Sequence, residues 1–277
     1  ITRGRFGNRI LQYNSAYQLA TKLNTGMQCD NWEGDDFFDL SPLEGTDEPG
    51  KEERLFTWRE CVDPSWDNIN KAHEKFDLAI DDPAYLLHNT FFQLTHVDLR
   101  EFIKVKQKFL PQFDEGTVNV GIHIRGGDIR GADNNNGREI HTFEYYKKAI
   151  DEVLAHEKID GICITTDDPE FELFKDVGRY SLSLSDSVNV YVGAATLDQS
   201  FPHIYDFALL SECDYLIASS STYAICAGLL GKEKKIIHSL EWIKKSIPGP
   251  GYFDWGNRTA DYPDAYWKSW DNFWLKV

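Results

Sequence analysis

The sequence predicts an α/β fold built on a mostly parallel, doubly wound sheet, and two observations carry that expectation. From Thr117 onward, five short β-branched runs alternate with four amphipathic stretches, the punctuation of successive βαβ units. The chain is 277 residues long with 42% hydrophobic residues, enough apolar material for one large α/β domain or two small ones.

Taken in order, the chain opens with a glycine-bearing loop, Arg3-Gly4-Arg5-Phe6-Gly7-Asn8. A helical stretch follows in which Ala16, Leu19, Ala20 and Leu23 recur on one face. The segment from Asp30 to Asp82 is acidic and turn-rich, with Pro42, Pro49 and Pro64 interrupting any long element, so loops and short pieces are expected. The C-terminal half reads as strands over 117–125, 161–165, 188–192, 215–218 and 235–239. Helices over 142–156, 169–177, 204–212 and 222–230 fill the gaps, the last closed by Gly231 as a C-cap. From Gly249 the chain is rich in aromatics, and Trp267, Trp270 and Trp274 are spaced as one face of a terminal helix packed on the body. The expected organisation is an N-terminal domain over 1–115, a nucleotide-binding domain over 116–248 and a tail over 249–277.

Composition narrows the function. A formal net charge of -16 repels polyanions, and no dense Lys/Arg run offsets it, which argues against nucleic acid as a partner. The longest apolar stretches, such as 217–230, are broken by serines and fall short of the roughly 20 residues that span a bilayer. Ile1 is not a methionine and the first motif begins within three residues. The expectation is therefore a chain whose start has been cut, with the compartment open between a soluble cytoplasmic protein and a Golgi-lumenal catalytic domain without its anchor. The five cysteines, Cys29, Cys61, Cys163, Cys213 and Cys226, lack metal-ligand spacing, so no metal site is expected. No GxGxxG follows a predicted strand, and no GxxxxGK[ST] loop is present.

Chemistry concentrates at the end of the first predicted C-terminal strand. Period-two alternation places Val118, Val120, Ile122 and Ile124 on one face and His123 and Arg125 on the other. Gly126-Gly127-Asp128 then permits a tight turn whose amides can approach a phosphate, while the Arg125 guanidinium can hold phosphoryl oxygens. The plain alternative is an arginine capping a strand end and a core histidine with its hydrogen bonds satisfied.

His123-Ile124-Arg125-Gly126-Gly127-Asp128 resembles the HxRxGD signature of the α-1,2-fucosyltransferases, shared with their α-1,6, NodZ-type and protein O-fucosyltransferase relatives. Three further segments agree. Gly4-Arg5-Phe6-Gly7-Asn8 and the helix after it look like the opening motif of that superfamily. Thr165-Thr166-Asp167-Asp168-Pro169 is similar to its TDDP segment. Asp206 to Asp214, followed by Ser219 to Tyr223, looks like its third motif. The four motifs run in order from Gly4 to Leu230, with no named resemblance between Asp30 and Gly116. Gly126 departs from the pattern, since most α-1,2 and α-1,6 members carry a second arginine there.

What the resemblance implies is a GT-B-like fold of two Rossmann-like halves, with a GDP-sugar donor held in the C-terminal half. The implied reaction is inverting, metal-independent transfer of L-fucose from GDP-fucose to a hydroxyl of an oligosaccharide or glycoconjugate. Arg125 then stabilises the diphosphate leaving group and Asp128 is the nearest carboxylate for a catalytic role. Gly7, Asn8, His123, Asp167, Asp168, Ser220, Ser221 and Thr222 are the other donor-binding candidates. Several have a structural alternative: Asn8 as cap of the first helix, Asp167 or Asp168 as cap of the next, Ser220 or Ser221 as cap of the last. Asp206 is expected to begin a helix with its carboxylate at the positive end of the dipole. Two other functions stay open: a same-fold transferase using another nucleotide sugar, and a non-catalytic carbohydrate-binding module.

Overall fold

The computed structural model describes residues 5–27, 29, 31–43, 52–56, 76–80, 99–127, 140–193, 201–232, 235–238 and 274–276. The chain divides into two compact units, one of residues 1–103 with 247–261, the other of residues 104–246 with 262–277.

In the first unit, α1 (Phe6–Leu23) and α2 (Glu33–Phe37) lead into β1 (Phe38–Leu40). Phe6 is buried against Phe37 and stacks on Phe38 at 5.7 Å, and Tyr17 stacks on Phe102 at 4.1 Å. This anchor draws the helix start back to Phe6. The expected loop therefore ends at its N-cap, Arg5, which makes no side-chain capping bond. Gly7 and Asn8 lie within the first helical turn, and Asn8 is not the cap. The acidic segment read as loops and short pieces holds α2, β1 and two five-residue strands, β2 (Glu52–Phe56) and β3 (Phe76–Ile80), paired in parallel. Strand β4 (Ile103–Val105) spans the boundary between the units.

The second unit is an α/β layer structure. Its strands are β5 (Asn119–Ile124), β6 (Gly161–Thr166), β7 (Asn189–Val192), β8 (Tyr215–Ile217), β9 (Lys235–His238) and β10 (Trp274–Lys276). They form one sheet in the order β10-β9-β8-β5-β6-β7, each adjacent pair parallel. The connecting helices are α3 (Phe143–His156), α4 (Glu172–Ser183), α5 (Pro202–Glu212) and α6 (Thr222–Leu230). Every residue of β5, β6 and β8 is buried, as expected of parallel strands covered on both faces. Val120, Ile122 and Ile124 pack with Tyr146, Ala149, Ile150 and Val153 of α3 and Val177 of α4. On the opposite face, a Cβ added at Gly121 would meet Leu210 of α5 and Cys213 just beyond it. Helices thus cover both faces, an arrangement compatible with a Rossmann-like fold.

Several boundaries differ from the sequence expectation. Helix α4 begins at Glu172, not Pro169, because Asp168 first turns the chain: its backbone oxygen accepts from Phe171 N at 3.0 Å and its carboxylate from Glu170 N at 3.2 Å. The helix also continues past Val177 to Ser183. Helix α5 begins at Pro202, whose fixed φ suits a first helical position, so Asp206 is a buried mid-helix residue away from the dipole's positive end. Trp274 belongs to strand β10, its backbone paired with Ile236 of β9, instead of a terminal helix; Trp267, Trp270 and the rest of the aromatic tail lie outside the described residues. Phe201, the residue before α5, has φ 60 and ψ 50. A bulky side chain held in this left-handed region costs about 1–3 kcal/mol.

Two glycines test the packing with opposite signs. A Cβ at Gly231, the C-cap of α6, would lie 1.7 Å from the Ser211 backbone oxygen, whereas one at Gly178 in α4 meets nothing within 4 Å. Gly231→Ala is expected to lower the unfolding free energy by about 3 kcal/mol. Gly178→Ala should raise it by about 0.5–1 kcal/mol. Urea denaturation of both variants checks the pair.

Candidate functional site at the carboxyl edge of the sheet

The chain leaves β5 through α3 to β6 on one side and later reaches β8 on the other side through α5, which packs on the opposite face. β5 and β8 therefore flank a topological switch point, the place in an open parallel sheet where a crevice forms beyond the strand ends. The register sets what stands there. Ile124 is level with Thr166, so Arg125 and Gly126 emerge beside Asp167 and Asp168; Ile122 is level with Ile217, so His123 emerges beside Ala218 and Ser219. Five of the sequence-predicted residues, His123, Arg125, Asp167, Ser220 and Ser221, thus come from three strand ends to one edge, with Asp168 and Thr222 adjoining.

The turn after β5 is built differently from the expectation. Gly126 N and Gly127 N donate to Asp167 Oδ1 at 2.7 and 3.0 Å. The two amides read as phosphate ligands are therefore held by a carboxylate of the protein itself, and Asp167 is committed to shaping the turn. A Cβ at Gly126 would lie 2.9 Å from both Asp168 Cβ and Phe171 Cδ1. A side chain at this position has no room unless that turn shifts.

The Ser219–Ser221 segment is buried, and each hydroxyl has a partner. Ser219 Oγ lies 2.6 Å from His123 Nδ1, Ser220 Oγ lies 3.2 Å from His141 Nε2, and Ser221 Oγ accepts from Tyr223 N at 3.3 Å as the N-cap of α6. Tyr145 Oη donates to the backbone oxygens of Ala218 at 2.9 Å and Ile237 at 3.3 Å, and Tyr146 Oη donates to that of His123 at 3.2 Å. The His141 ring packs on Tyr145 with centroids 4.1 Å apart. The serine hydroxyls thus fix the loop that carries the start of α6, where the positive end of the helix dipole lies.

Burial lowers His123 from the usual 6.5 to about 4; the Arg125 charge acts in the same direction and the Asp167 charge against it. The imidazole is neutral near pH 7, so the positive charge contributed by the β5 end comes from Arg125. Tyr223 completes this corner: its ring lies 5.1 Å from that of His123, its hydroxyl donates to His203 O at the start of α5, and burial raises its pKa well above the ordinary tyrosine value.

His141 and Tyr145 belong to this corner without having been singled out in the sequence, and Tyr223 was named only as the end of the Ser219 to Tyr223 motif. His141 stands 79 residues from Ser220, and no local pattern announces the pair. Asp128 lies outside the described residues. Gly7 and Asn8 belong to the first unit. No helix among the described residues is long and apolar enough to cross a membrane. In comparisons with known proteins, no family model matches the chain and no curated protein matches it significantly.

The depressed His123 pKa makes stability pH-dependent in a defined direction. Since the folded state favours neutral imidazole, this contribution is complete above pH 6.5 and is lost as pH falls toward about 4. The loss is on the order of 3 kcal/mol. Urea titrations across this window should show it in the wild type, with the difference removed in His123→Gln.

Proposed function

We propose that the chain is an inverting glycosyltransferase that transfers L-fucose from GDP-fucose to a hydroxyl of an oligosaccharide or glycoconjugate. The motif resemblance supplies the reaction and donor, and one structural observation supports their location. Arg125 leaves the central strand at the switch point, next to the β8 end that leads into α6, so a guanidinium and a helix dipole belong to one strand-end region, where a diphosphate can be held. A GT-B-like arrangement of two Rossmann-like halves belongs to the same proposal, with the second unit as the donor half.

In this reading the acceptor hydroxyl attacks the anomeric carbon opposite the departing GDP. Positive charge grows on the sugar and negative charge on the diphosphate. Arg125 stabilises the latter, and its effect is larger in the transition state than in the ground state because the charge is still developing. His123, neutral and bonded to Ser219, orients the β8–α6 loop. Asp167 holds the turn after β5, and Asp168 is proposed to accept from the guanine N–H groups. Asp128 is proposed as the nearby acid–base group, and no metal takes part. Gly7 and Asn8 are proposed to approach the donor from the N-terminal half, which also supplies the acceptor surface.

Thermal denaturation with GDP, UDP, ADP and NAD tests the donor assignment. GDP at a hundred times its dissociation constant is expected to stabilise the wild type by about 2.7 kcal/mol, with little effect from the other three and the shift lost in Arg125→Ala. Turnover of GDP-fucose, undiminished by a metal chelator, then separates an enzyme from a binding module. A UDP-selective shift, or a GDP shift indifferent to the mutation, would overturn the donor and the clamp respectively.

A further inference from the structure

Phe201 combines two properties that do not ordinarily occur together. It is a large aromatic residue left 62% exposed, and its backbone is held in the left-handed region at φ 60, a conformation suited to glycine. Neither hydrophobic burial nor backbone preference accounts for a phenylalanine at that position. Tyr205, one helical turn along α5, is also exposed, at 42%.

The position is tied to the switch-point crevice through a short chain of contacts. The Phe201 ring lies 6.4 Å from that of His203, edge to face. His203 O accepts from the Tyr223 hydroxyl, and the Tyr223 ring lies 5.1 Å from His123. The start of α5 therefore borders the same crevice as the ends of β5 and β8.

We infer that Phe201, flanked by Tyr205, is a stacking platform for the nucleobase of the bound nucleotide. This rests on the diphosphate reading above. A diphosphate at Arg125 and the start of α6 occupies the β5–β8 side. The remaining part of the ligand can then extend over Tyr223 toward the start of α5, whose His203 O accepts from the Tyr223 hydroxyl. At the far end the ligand meets exposed aromatic faces, and an aromatic face recognises a flat heterocycle through stacking.

Calorimetric titration of wild type, Phe201→Ala, Phe201→Gly and Phe201→Trp with GDP and with inorganic pyrophosphate tests the platform. Both truncations are expected to weaken GDP binding about tenfold, the order one base–aromatic stack contributes, and to leave pyrophosphate affinity unchanged. Phe201→Trp should retain GDP affinity. Without ligand, Phe201→Gly should raise the melting temperature, since glycine accepts this backbone freely; a fall would show that the ring serves packing and overturn the inference. GDP affinity unchanged by truncation, or pyrophosphate affinity falling in step with it, would overturn the platform while leaving the diphosphate site standing. A wild type that binds neither ligand would overturn the diphosphate reading, and the platform with it.

Discussion

Strand β5 forms parallel hydrogen-bonded ladders along both edges, with β6 on one side and β8 on the other, and it is buried on both faces. A parallel strand in that position has no solvent to satisfy its backbone, so the ladders must be complete and the neighbours must be in register. The registers Ile124–Thr166 and Ile122–Ile217 then determine which loops meet at the carboxyl edge. The partners at the amino end hold the same strand in place: Asn119 N donates to Asp214 at 2.8 Å, and Val118 N to Asp160 at 3.0 Å. The site is a consequence of these alignments, since none of its loops is near another in sequence.

The polar groups at this edge divide into those that build the site and those placed to act in it. Asp167 is a built-in anion for the Gly126 and Gly127 amides. His123, His141 and Ser221 satisfy the three-serine loop and the first turn of α6. Such groups are costly to bury unless bonded, and here each has an identified partner. Their rigidity serves the proposed reaction, because electrostatic stabilisation of a leaving group depends on charges and dipoles that need no reorganisation. Arg125 and the start of α6 are the groups proposed to meet a ligand, while Asp168 also closes the turn before α4.

Much of the second unit was legible from its sequence because its elements are locally determined. The β-branched runs, the cap of α6, which falls on Ser221, and the C-cap at Gly231 all act within a few residues, and each occurs where expected. The misplaced boundaries share another cause. Phe6 starts α1 early because it packs on Phe37 and Phe38. Asp168 delays α4 because its carboxylate and carbonyl first close a turn. Trp274 lies in a strand because β9 offers an open edge. In each case a tertiary contact overrode a local preference.

The sequence by itself determined the layer architecture of the second unit and the strand that carries His123 and Arg125, because hydrophobic period and turn chemistry act over short distances. Tertiary structure alone decided how those residues are used. It spent the glycine amides on Asp167, excluded a side chain at Gly126, paired His141 with Ser220 and left Phe201 exposed in a left-handed backbone at the rim. Those outcomes depend on strand order and on which helix covers which face, and both are set by packing between segments far apart in the chain.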